Sequence, residues 1–239
     1  MVSTPLTVLV VATAVGLTGL FLAGISYAAA HPRTASAAGA LPALAAAAVV
    51  LGWSALVLIL SAEEAFATDP DTTVPVIAAG IVLPIVAGWR LHQGSWRVRA
   101  LLDAIPLRWV IGLQLYRVLG ALFLVAYLEG RMPAEFALPA GVGDVLVGIA
   151  APVVAAAVAR KARSWRSLGL AWNVVGIADL VVAVTLGVLT SPSVFQQLAL
   201  DQPNELITRY PFVLVPTFAV PASILLHLYA LSRLRRGRL

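Results

Sequence analysis

The sequence predicts an all-α, polytopic integral membrane protein with seven transmembrane helices, and three observations carry that prediction. The chain is 61% hydrophobic and 11% charged, with a mean hydropathy of +0.95. Soluble domains carry about 25% charged residues. Its apolar runs are long enough to cross a bilayer, which takes about 20 residues each. Its basic residues also gather in alternate loops, the pattern that sets membrane orientation.

The first span is read at 5–29, although residues 6–30, ending in Tyr27-Ala28-Ala29-Ala30, superficially suggest a signal peptide. It lacks a basic leader segment and its apolar run is too long for one. Removing it would also place the basic loops outside, so it reads as the first span. The second span covers 41–62 and the third 74–91, with Pro84 inside it. Residues 95–104 then mix Trp96, Val98, Leu101 and Leu102 with Arg97, Arg99 and Asp103. This is the pattern of a short amphipathic helix lying along the membrane interface. Spans four to six are read at 109–128, 138–159 and 168–190. Residues 193–208 are too polar to span and are expected to cap the bundle. The seventh span is read at 211–232, with Pro216 and Pro221 inside it. No soluble module or linker interrupts this pattern, so residues 1–239 read as a single seven-helix domain.

Loop charge orients the chain. One side carries Arg33, then Arg90, Arg97, Arg99 and Arg108, then Arg160, Lys161, Arg163 and Arg166, and finally Arg233, Arg235, Arg236 and Arg238. The other carries Arg131 and Arg209 among Glu63, Glu64, Asp69, Asp71, Glu129, Glu135, Asp201 and Glu205. The positive-inside rule therefore places the N-terminus outside and the C-terminus in the cytoplasm. Trp89, Trp96, Trp109 and Trp165 fall at the inner boundary, as an aromatic belt does. Fifteen arginines against one lysine, with abundant alanine, suggest a bacterial chain and hence the bacterial plasma (inner) membrane. The formal charge of +5 resides in these short loops, which argues against nucleic acid as a partner.

The last four spans hold the residues that point to function. Arg117, Asp144 and Asp179 lie deep in spans four, five and six. Ionisable groups at such depth are costly, face the bundle interior, and pair or serve a function. Gln114 is three residues from Arg117, on the same helical face. Arg117 is too deep to extend comfortably to the interface and keeps its charge, so it needs an acceptor inside the bundle. The simplest arrangement sets it between Asp144 and Asp179. One arginine against two aspartates leaves a formal charge of −1, which a proton or another cation would neutralise. Asn173, Gly176 and Asp179 recur every three residues and form one polar, small-residue face of span six.

Gly141–Gly148 also aligns without gaps to Gly176–Ala183, bringing Asp144 and Asp179 into register. Spans five and six run in opposite directions, and inverted repeats around a polar midplane are a transporter signature. Eight residues drawn from an Ala/Val/Gly/Leu alphabet make this a weak repeat. Pro84, Pro152, Pro216 and Pro221 each free a backbone carbonyl inside a span. Such carbonyls must be satisfied within protein or a wet cavity. His227 follows in the inner half of span seven. Its simpler expectation is a backbone carbonyl or headgroup partner. The alternative is a polar track with Asp144 outermost, Arg117 and Asp179 central, and Gln114, Asn173 and His227 inner. Trp53 and Trp172 read as packing residues, and the basic tail 233–238 as a topogenic signal.

Several chemistries are excluded or demoted. There are no cysteines, which removes disulfides, thiolate metal sites and cysteine nucleophiles. The lone lysine, Lys161, lies in a loop, so no retinal Schiff base is available. Of three histidines only His227 is well inside a span, which rules out bis-histidine haem ligation. No metal cluster, Walker A loop, dinucleotide fingerprint or nucleophile elbow is present. No cofactor is implied. A Ser-His-Asp site would need Ser223, His227 and Asp179 to assemble from different depths.

The function expected first is a small proton- or ion-linked transporter or permease, with Arg117, Asp144, Asp179, Gln114, Asn173 and His227 as its binding residues. Two alternatives are a non-catalytic sensor or assembly subunit held by a structural ion pair, and a membrane-embedded enzyme or binder of a lipid-like substrate. Expected partners are the lipid bilayer and a small polar solute, a proton or a lipid-like ligand.

Overall fold

The computed structural model describes residues 4–31 and 40–236. Arg33 and Arg238, two of the arginines that enter the orientation argument, lie outside the described residues. The described residues form eight helices of two turns or more, a single 3₁₀ turn at Leu206–Thr208, and no strand. The helices are α1 (Thr4–Ala30), α2 (Leu41–Ala62), α3 (Val76–Gly94), the short α4 (Trp96–Ala104), α5 (Leu107–Leu128), α6 (Ala134–Ala159), α7 (Trp165–Thr190) and α8 (Val215–Arg235). All but α4 are long and apolar enough to cross a membrane. Much of their apolar surface faces outward, including Leu44, Ile59, Leu83, Leu146 and Val153.

Several helices begin earlier than hydropathy implies. α5 starts after Pro106 and α6 after Pro133, each proline standing at the N-cap in extended backbone before the helix. Glu135 occupies the first turn of α6, where a negative charge complements the helix dipole. Hydropathy discounts such polar first turns. The last helix shows the opposite error, starting at Val215 rather than at 211. Phe212, Val213 and Leu214 are apolar because they are buried in the turn leading into it.

α8 is the most enclosed of the long helices. It packs on α3, α5 and α7, while α6 lies between α5 and α7 and α1 pairs with α2. Phe123, Phe136, Phe212 and Phe218 join Leu6, Val10 and Leu17 of α1 in one core cluster. Leu107, Ile111, Val154, Val158, Trp172 and Leu234 form a second cluster. α4 is capped by Ser95, whose hydroxyl accepts from Val98 N at 3.3 Å. It buries Leu101 against α1 and α2.

Two helices depart from α geometry near the molecule's middle. Gln114–Gly120 is a seven-residue 3₁₀ stretch inside α5. Such turns rarely exceed three or four residues, and they eclipse side chains three apart. Gln114, Arg117 and Gly120 consequently line one buried face. α6 lies against this stretch at Gly148, where a Cβ would approach Val118 N to 2.7 Å.

The second departure is a π turn, Val215–Ala219, at the start of α8. Pro221 cannot donate to Thr217 O, four residues back. Trp53 Nε1 donates to that carbonyl at 3.1 Å. Trp172 Nε1 likewise donates to Val147 O at 3.2 Å. Both indoles therefore donate to backbone carbonyls, and Trp53 satisfies one that Pro221 frees, a role that the reading as packing residues did not include.

The loops meet at two ends. At one, the 191–210 segment ties back to its neighbours. Gln202 donates to Gly130 O at 2.8 Å, Val194 N to Thr72 O at 3.2 Å, and Arg209 pairs with Glu64 at 3.3 Å. At the other, Arg236 pairs with Asp103 of α4 at 3.4 Å. We call these the acidic and the basic end. Arg233, read from sequence as part of a topogenic tail, is instead buried within α8. Its guanidinium donates to Ile105 O and Tyr229 OH, and Tyr229 donates to Asp103 at 3.1 Å.

A candidate functional site at the centre of the helix bundle

The 3₁₀ stretch of α5 aims Arg117 into the space between α6, α7 and α8. The residue is 3% exposed, and each nitrogen of its guanidinium has a partner. Nε donates to Asp144 Oδ1 at 2.7 Å. Nη2 lies 2.7 Å from the same oxygen and also pairs with Asp179 Oδ2. Nη1 faces Gly176 O at 3.3 Å and His227 Nε2 at 3.1 Å. An arginine has five N–H donors in a planar fork, and here all three of its nitrogens are engaged, with four hydrogen bonds and a further ion contact to Asp144.

His227 is fully buried. Its Nδ1 lies 2.9 Å from Asn173 Oδ1, and the Asn173 amide nitrogen donates to Gly169 O at 2.7 Å. Arginine only donates, so His227 Nε2 accepts and Nδ1 carries the proton. This sets a neutral ring in a defined tautomer. The expectation of a backbone carbonyl or headgroup partner is therefore corrected. The arginine and asparagine side chains take both ring nitrogens, because the 3₁₀ turn brings Arg117 directly onto α8. Trp172 covers the ring at a centroid distance of 5.0 Å. Gly176 makes this approach possible, since a Cβ there would collide with the imidazole.

Arg117, Asp144, Asp179, His227 and Asn173 thus form one hydrogen-bonded chain across α5, α6, α7 and α8. Gln114 belongs to a neighbouring set. Its amide donates to Ser223 O at 3.1 Å, and Ser223 Oγ donates to Gln114 Oε1 at 2.8 Å. Tyr116 donates to Ala219 O at 2.8 Å and its hydroxyl also meets Ser223. Tyr116 and Ser223 were not among the predicted binding residues. A tyrosine beside the buried arginine and a serine four residues before His227 were the available signals. Ser223, His227 and Asp179 take part in separate hydrogen bonds, so no Ser-His-Asp relay is built.

The two carboxylates differ in surroundings, although each side chain is 14% exposed. Asp144 lines two adjoining cavities. One, of about 50 Å³, also touches Arg117, Tyr116, Ser223 and Thr13 of α1. The other, of about 60 Å³, runs towards the acidic end, past Phe123, Phe136 and Leu180 to Thr68, Ser191, Ser193 and Thr208. Asp179 lines neither cavity. Each cavity exceeds the roughly 10–15 Å³ that one water requires. Among the described residues, no three His, Asp or Glu side chains converge to hold a metal ion.

The profile of a family described as "Domain of unknown function (DUF8737)" matches residues 72–235, which include α3 to α8 and every residue of the central cluster. Neither a curated protein nor a solved structure matches the chain.

Proposed function

The chain belongs to the DUF8737 family, and we propose that it is a multi-pass membrane transporter or permease that passes a proton or another small cation through Asp144. The observation that carries this reading is the unequal sharing of Arg117. One guanidinium serves two carboxylates, and one of the two opens onto a pair of cavities. With both aspartates ionised, the group holds a formal charge of −1 in surroundings where an uncompensated charge is expensive. A proton or cation on Asp144 removes that excess. Asp179 lines neither of these two cavities, so it serves as the standing partner of the arginine. Arg117 limits how tightly a cation is held, since the guanidinium remains charged throughout.

The same reading gives the bundle an orientation. The acidic end faces outside and the basic end the cytoplasm, following the positive-inside rule. α4 then lies along the cytoplasmic interface, with Trp96 exposed and Leu101 turned inward. The composition favours a bacterial plasma membrane.

Proteoliposomes loaded with a pH-sensitive dye test the function. The wild type is expected to dissipate an imposed pH or cation gradient, and Asp144→Asn to lose that flux while keeping its folded yield. A wild type that is silent towards protons, alkali cations and small ammonium ions overturns the proposal.

The engagement of all three guanidinium nitrogens of Arg117 supports a second reading, a structural ion triad that locks α5 to α6, α7 and α8. Buried ion pairs can serve packing specificity without any transport. This reading predicts that Asp179→Asn lowers folded yield and that adding Arg117→Met partly restores it. Absence of rescue counts against it.

A further inference from the structure

The cavity at the acidic end has a chemistry that a hydrated inorganic cation does not need. We propose that it binds a small organic ammonium ion with an apolar body, its charged group towards Asp144 and its far end towards Thr68. The inference deepens the transport reading and rests on it in one respect, that Asp144 meets its ligand as a carboxylate.

Three observations lead to this class of ligand. First, among the described residues Asp144 is the sole charged one lining the cavity, so a cation beside it meets one carboxylate and no ring of oxygen ligands. Hard metal cations take six or more oxygens, whereas an ammonium group needs few acceptors. Second, the middle of the cavity is walled by Phe123, Phe136, Leu180 and Val184. Those groups cannot replace the hydration shell of an inorganic ion, but they suit a hydrocarbon body. Aromatic faces also attract ammonium groups directly. Third, the far end holds a hydroxyl without a partner. Thr68 is only 7% exposed, yet its Oγ1 has no hydrogen-bond partner among the described residues. Buried hydroxyls in native structures are nearly always satisfied, by protein, water or ligand. Thr68 lines the same cavity as Asp144 and supplies a contact for a polar group opposite the ammonium.

The test is calorimetric titration of the full chain in lipid nanodiscs at constant pH. The probes are n-butylammonium, 4-amino-1-butanol, n-butanol and potassium. Wild type is expected to bind the two amines at one saturable site and to ignore n-butanol and potassium. Asp144→Asn should weaken both amines about tenfold or more, since it removes a charge-assisted contact. Thr68→Val should weaken 4-amino-1-butanol about fivefold, the value of one net hydrogen bond, and leave n-butylammonium unchanged. Val188→Phe, on the α7 wall of the cavity, should block both amines without touching either carboxylate. It decides the matter if Asp144→Asn does not fold. The proposal is overturned if wild type binds neither amine, if n-butanol binds equally well, or if potassium competes on equal terms. Proton flux without amine binding would overturn this inference and leave the transport reading standing. Amine binding without flux of any cation would retain the site and overturn transport.

Discussion

Arg117 is held by more partners than any other side chain in the central cluster, and its removal should be the most damaging single change there. Arg117→Met leaves two buried carboxylates facing each other without a counter-charge. Breaking a buried ion pair costs about 3–5 kcal/mol, and a thermal melt of the detergent-solubilised protein should show a loss of that order. His227 carries a smaller share. His227→Ala leaves Arg117 Nη1 and Asn173 Oδ1 each short of a partner, at about 1–3 kcal/mol for a buried polar group left unsatisfied. His227→Gln, which can both donate and accept, should recover part of that loss in the same melt. Equal destabilisation by the two substitutions would mean that ring packing against Trp172 matters more than the hydrogen bonds. The partners of Arg117 were partly legible in the sequence, because an arginine at that depth needs acidic neighbours. The role of His227 was not legible. A histidine a turn and a half from a basic interface has an easy alternative, and only the direction of the α5 side chains removes it.

At the scale of elements, the irregular turns do what regular helices cannot. The 3₁₀ stretch stacks Gln114, Arg117 and Gly120 on one face, which brings the arginine to α6, α7 and α8 together. The π turn and Pro221 leave Thr217 O to be satisfied by Trp53 from α2. Trp53→Phe should therefore cost about 1 kcal/mol or somewhat more through an unpaired carbonyl, beyond any packing loss. Pro221→Ala restores a backbone N–H able to reach Thr217 O. The double substitution should then be less destabilised than the sum of the two singles. A double-mutant cycle measures that coupling, and strict additivity would exclude it. Prolines in the sequence announced freed carbonyls. They did not identify the donors, because Trp53 is separated from Thr217 by 164 positions.

For the whole molecule, the decisive property is the division into an acidic and a basic end. The chain contains no cysteine, so single cysteines are unambiguous reporters. Asp71→Cys, at the acidic end, should react with a membrane-impermeant maleimide added to intact cells. Arg163→Cys, at the basic end, should react only after permeabilisation. The reverse pattern would invert the proposed orientation and with it the direction from which the Thr68 cavity is reached.

Hydropathy, loop charge and proline placement determined by themselves that the chain is helical, how many long apolar helices it has, and which loops share a charge. These follow from local composition, since bilayer thickness and the need to satisfy every backbone polar group leave little freedom. Buried aspartates and arginine in the last four spans were visible for the same reason, as charges that hydrocarbon does not tolerate alone. Tertiary structure decided which groups meet. It joined His227 and Asn173 to Arg117, and set Gln114 with Ser223 and Tyr116. It buried Arg233 against α4, and opened Asp144 but not Asp179 to the cavities. Those outcomes depend on helix rotation and on two local departures from α geometry. Neither is encoded in the spacing of residues along one helix. They arise where side chains from four helices compete for the same donors and the same space.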